Sequence, residues 1–196
     1  MTAAYDILKL LHILSFVFMS IPLFNLIVVN ERAVMGSSFV YATDRYMENI
    51  IRRGASRCYM FQSCALVTGI LLMILGPLGI EALWQNWVIL VKTLLLFLLM
   101  GLLSYVHLKI QPEIEALLVE IDPDTPVPEG FAEKLKPLRI LRKRLATFCL
   151  FVVLTIIILG VQVYTTFNPL VTLGLIALAA LFAWRANKSL IRFGWI

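Results

Sequence analysis

The stretch Trp87–Lys109 constrains this chain more than any other, because up to Ser104 it is apolar apart from Lys92 and Thr93. At about 1.5 Å of rise per residue, a helix of this length crosses the roughly 30 Å hydrocarbon core of a bilayer. Trp84 and Trp87 stand at its start, and Tyr105, His107 and Lys109 at its end. Amphipathic and cationic groups of these kinds favour the boundary between lipid and water. Lys92 is the residue that needs a reason. A charge within a span costs about 3 kcal/mol on insertion scales, so it calls for a partner, a role, or a route for its stem toward the headgroups.

Composition places the whole chain in the same class. Of its 196 residues 61% are hydrophobic and 15% charged, with a mean hydropathy of +0.91. Soluble domains use about 45–50% apolar and about 25% charged residues. The expectation is an all-α integral membrane protein, a single domain of about five transmembrane helices. The spans fall at Tyr5–Val29, Cys58–Ile80, Trp87–Lys109, Leu145–Phe167 and Leu170–Ala186. The first is expected to be a retained span, since it lacks a basic leader and a small-x-small cleavage site.

The net charge of +5 does not point to nucleic acid, because the charges follow membrane topology. Every basic residue except Lys9 and Lys92 falls in connection 30–57, in connection 109–144, or at the C-terminal end with Arg185, Lys188 and Arg192. The positive-inside rule then places the N-terminus outside and the C-terminus in the cytoplasm. Each cytoplasmic connection is expected to carry a short interfacial amphipathic helix. In the first, apolar Phe39, Val40, Tyr46, Met47, Ile50 and Ile51 are interleaved with charges. In the second, a helix starts at Pro112 and a basic one, Phe131–Arg144, anchors at the membrane surface. Cys58, Cys64 and Cys149 form no metal or disulfide pattern and are expected to pack.

Which residues can carry chemistry is settled by depth. His12 and Lys92 each lie about five residues before the centre of their helices, which run in the same direction. His107 lies about ten residues beyond its own centre. It is therefore displaced by roughly 20 Å along the membrane normal and does not share a ligand with His12. Gln162, on a stripe with Thr147, Thr155 and Thr166, comes near the level of His12 and Lys92. The expectation is an outer-leaflet pocket of His12, Lys92 and Gln162, with Asp6, Ser15 and Tyr164 as further members. Such a pocket suits porphyrin propionates, a quinone carbonyl or a relayed proton. The plainer alternatives stay open: Lys92 snorkelling, His12 bonded to a neighbouring helix, Gln162 as interhelical glue. No nucleophile elbow, phosphate loop or dinucleotide fingerprint is present.

Several short motifs carry a resemblance. Leu8-Lys9-Leu10-Leu11-His12 resembles the first span of HemJ-type protoporphyrinogen oxidases and of the related CopD-type membrane proteins. Trp87 and Lys92, with Tyr105 and His107 closing the helix, resemble the third span of that group. Thr68-Gly69 looks like its small-residue step, and the run 134–147 like its last connection. The resemblance covers about the first four spans. It implies a haem- or quinone-associated redox protein in a bacterial cytoplasmic (inner) membrane. His12 and Lys92 would be its catalytic and cofactor-binding residues, with haem b iron on His12. Three departures weaken it: longer Trp-to-Lys and Lys-to-His spacings, Arg52-Arg53 without a following proline, and a fifth span. The competing expectation is a non-catalytic accessory subunit or assembly factor of a respiratory or photosynthetic complex, whose partners are lipid and other subunits. Copper handling fits less well, because clustered Met, His and Cys are lacking, although Met19 lies two turns from His12.

Overall fold

The structure, a computed structural model, describes residues 3–32, 39–121, 128, 130–163, 165 and 167–188. Among them there is no strand, and five helices are long and apolar enough to cross a membrane. They are α1 (Ala3–Glu31), α2 (Tyr41–Leu75), the helix opened by α4 (Trp87–Tyr105), α6 (Phe131–Val161) and α7 (Pro169–Lys188). A short α3 (Ala82–Gln85) precedes α4, and α5 (Gln111–Val119) prolongs it beyond a π-helical turn at Val106–Ile110.

Local chemistry explains most of the boundaries. Asn86 opens α4 by accepting the Val88 N–H on its side chain at 3.0 Å, satisfying one of the free donors of the first turn. Gly130 leads into α6 with φ of 78°, a left-handed conformation that glycine adopts without strain. Helix α2 stops at Leu75, short of the expected Ile80. Pro77 disfavours helical geometry in the residue before it, and Gly76 is accordingly extended. Tyr5 closes over the same glycine: a Cβ there would lie 2.9 Å from its ring and hydroxyl.

Two expectations about the connections need correction. The polar segment 41–57 is not a separate interfacial helix but the first turns of α2 itself. The expected helix with Pro112 in its first turn is present as α5, but it is not separate from the span before it. The third span continues through it, after a π-turn in which the Gln111 N–H reaches back to the Val106 carbonyl. Proline lacks an N–H and crowds the carbonyl four residues earlier, and a widened turn immediately before it absorbs that conflict. The turn-rich segment 122–127 lies outside the described residues, as does Arg192.

Helix α6 is the centre of the bundle, touching α1, α4, α5 and α7. Half of its most apolar window is buried, against 28% for α1 and α2 and 17% for the third and fifth spans. Around it Phe16, Met19 and Leu23 of α1 meet Cys58 and Ala65 of α2, Leu99 of α4, and Cys149, Val152, Val153 and Ile156 of α6. Cys58 and Cys149 are therefore packing residues, as expected. Lipid tails are as apolar as these side chains, so van der Waals fit holds this layer together. A second apolar cluster joins the π-turn and α5 to the start of α6, with Ile114 and Leu118 fully buried.

Candidate functional site

A cavity of about 670 Å³ opens among α1, α2, α4 and α6. Its volume falls in the range of about 300–1,000 Å³ usual for small-molecule sites. Both His12 and Lys92 line it, with Lys9 and Thr93 as the other ionisable or hydroxylated side chains among the described residues, and no carboxylate among those residues does. The remaining wall is almost wholly apolar, drawn from residues such as Phe16, Leu96 and Ile156.

Helix α2 fixes the imidazole. His12 Nδ1 lies 3.0 Å from Thr68 Oγ1, and the ring meets Phe16 edge-on at a centroid distance of 5.3 Å. Gly69, one residue along, leaves room for it, since a Cβ there would come 3.2 Å from His12 Cε1. Lys92 reaches across to α6 in a similar way: a Cβ on Gly160 would lie 3.3 Å from its Nζ. Its ammonium therefore lies against α6, one residue from the C-terminal end of that helix. Among the described residues Lys92 makes no ion pair or hydrogen bond.

The other expected members stand elsewhere. Gln162 does not line the cavity. It ends α6, and its amide donates to Thr172 Oγ1 of α7 at 2.9 Å, so it fastens the fifth span instead. Thr147 and Thr155 bond the carbonyls of their own helix. Ser15 donates to Leu11 O, and Asp6 is exposed. Tyr164 and Thr166 lie outside the described residues. His107 sits in the π-turn with its ring against Tyr59, 6.0 Å between centroids, about 22 Å along the helix from Lys92. No group of three or more His, Cys, Asp or Glu able to hold a metal occurs among the described residues.

At the opposite end of the bundle lies a cluster that sequence reasoning did not anticipate. Arg142 is fully buried and uses its whole guanidinium edge. Nε donates to Asn30 Oδ1 at 2.9 Å, Nη1 to Glu48 Oε2 and Gln111 Oε1 at 2.7 Å each, and Nη2 to Glu48 Oε1 at 2.9 Å. Arg139 donates to Asp44 Oδ1 at 2.7 Å and Glu48 Oε1 at 3.1 Å. Arg32 grips Asp44 with two bonds of 2.9 and 3.0 Å. The basic run of α6 is thus not a surface anchor along its length, since Arg139, Arg142 and Lys143 are buried. A spacing signal was available: Asp44 and Glu48 are four residues apart and Arg139 and Arg142 three, so each pair shares a helical face.

The chain matches no protein-family model, and neither a curated protein nor a solved structure matches it.

Proposed function

We propose that this protein binds an apolar redox cofactor, haem or quinone, in the cavity of His12 and Lys92, as its resemblance to HemJ- and CopD-like proteins implies. One observation carries the reading: a tethered histidine and a lysine unpaired among the described residues share one apolar cavity, to whose wall those residues bring no carboxylate. A half-buried cation without a counter-charge inside a span is unfavourable in itself, and sites of function are where such costs are retained.

The residues fit either cofactor. For haem, His12 would hold the iron through a ring nitrogen and Lys92 would offer its charge to a propionate; the haem itself would supply one-electron chemistry. For quinone, Lys92 would donate to a carbonyl and His12 would accept or return a proton. His107 is too distant to join. In the orientation set by the positive-inside rule, the ionic cluster faces the cytoplasm of a bacterial inner membrane and the cavity lies in the outer leaflet.

The test is an oxidised and a reduced visible spectrum of the protein purified in mild detergent, with His12→Ala alongside, and analysis of the extracted lipid for quinone. A haem spectrum lost in His12→Ala, or stoichiometric quinone lost in Lys92→Met, is the expected result. A colourless, quinone-free protein that co-purifies with other membrane subunits overturns the proposal in favour of an accessory subunit.

A further inference from the structure

The hydroxyl of Thr68 has one proton and three oxygen or nitrogen neighbours. Oγ1 stands 2.6 Å from the Cys64 carbonyl, 3.3 Å from the Ala65 carbonyl and 3.0 Å from His12 Nδ1. Two oxygens at 2.6 Å with no hydrogen between them would repel strongly, so the proton lies on the line to Cys64 O. That direction is also the ordinary one for a helical threonine, which bonds the carbonyl four residues back. Having given its proton away, Oγ1 can only accept from the histidine. Nδ1 must then be the protonated ring nitrogen.

We infer that Thr68 is a positioning residue that fixes His12 as its Nδ1–H tautomer, leaving the Nε2 lone pair as the basic atom offered to the cavity. The same device orients metal-ligating and proton-accepting histidines generally, where the second ring nitrogen donates to a fixed acceptor. Gly69 completes it. The Cε1–Nδ1 edge of the imidazole comes close to the residue next to Thr68, and the missing side chain there lets Nδ1 reach the hydroxyl. Thr68 itself is buried, and the Ala65 carbonyl is a further hydrogen-bond acceptor for the ring. The tautomer stands on the geometry alone; its use toward a cofactor rests on the proposed function.

The chain has only two histidines, which makes the experiment direct. Full-length protein labelled with ¹⁵N-histidine is reconstituted in lipid at about pH 8, above the ordinary histidine pKa of about 6.5. His12→Ala assigns the signals. The expected spectrum for His12 has a protonated Nδ1 and an unprotonated Nε2. Thr68→Ser keeps it, and Thr68→Val shifts it toward the opposite tautomer or to an average of the two. A protonated Nε2, an averaged pair, or a doubly protonated ring in the wild type overturns the inference, whether or not Thr68→Val folds. As a second readout, Thr68→Val is expected to weaken binding of added haem by about tenfold or more, with Thr68→Ser close to wild type. Wild-type protein that binds no haem but shows the expected tautomer would count against the haem form of the proposed function and leave the role of Thr68 standing.

Discussion

The bundle buries charge at both ends, and the two ends treat it in opposite ways. At the basic end Arg32, Arg139 and Arg142 face Asp44 and Glu48, with Asn30 and Gln111 taking up remaining donors. Four elements, α1, α2, α5 and α6, each contribute a residue to one saturated network. About 27 Å away along α1, at His12, a lysine from α4 extends into an apolar cavity with no counter-charge among the described residues. The first arrangement has nothing left to offer a ligand. The second has almost nothing but what a ligand would use. A buried charge therefore says little until its partners are counted: saturated, it fixes helix register; unsaturated, it marks a place where something else binds.

This contrast can be broken by experiment, and the largest effect is expected at the saturated end. Arg142→Met leaves Glu48, Asn30 and Gln111 without their shared donor, and removing one member of a buried pair costs about 3–5 kcal/mol. A large loss of thermal stability in detergent is expected, and Glu48→Gln should follow in the same direction. A melting temperature unchanged by either would mean that water or lipid headgroups already share those charges. Lys92→Met should do the reverse: stability unchanged or raised by up to about 2 kcal/mol, because a half-buried cation without a counter-charge is removed, while cofactor binding is lost. A marked destabilisation would show that Lys92 has a structural partner. The smallest effect is expected at Gln162→Leu, which removes one interhelical bond worth about 0.6 kcal/mol and leaves ligand binding as it was. Lost binding in that variant would bring Gln162 back into the site.

The pairing of His12 with Lys92 was legible because depth in a helix is simple arithmetic, and a bilayer supplies the common reference plane. Gln162 satisfied the same arithmetic and still points elsewhere. Depth fixes one coordinate, and the rotation of α6 about its axis, which turns Gln162 to Thr172 on α7, is fixed only by packing. The ionic cluster was missed for a related reason. Basic residues beside a span are normally solvated or held at headgroups, and nothing local distinguishes Arg142 from Arg144. The difference is that α2 and α6 are both longer than their apolar spans, and ion pairs of Asp44 and Glu48 with Arg139 and Arg142 bridge their polar ends with all four side chains buried. Gly69 stands out in the sequence as a small-residue step, but Gly160 gave no local clue, because the closeness of Lys92 to it depends on which helices approach.

By itself, then, the sequence determined the class, the number of long apolar helices and the level at which each polar residue sits. Those follow from hydropathy and from a rise per residue that every helix shares. Tertiary structure alone decided which residue at a given level meets which: His12 with Thr68, Arg142 with Glu48, Gln162 with Thr172. Helix rotation and neighbour choice are set by van der Waals fit among many side chains at once. No single position in the chain encodes them.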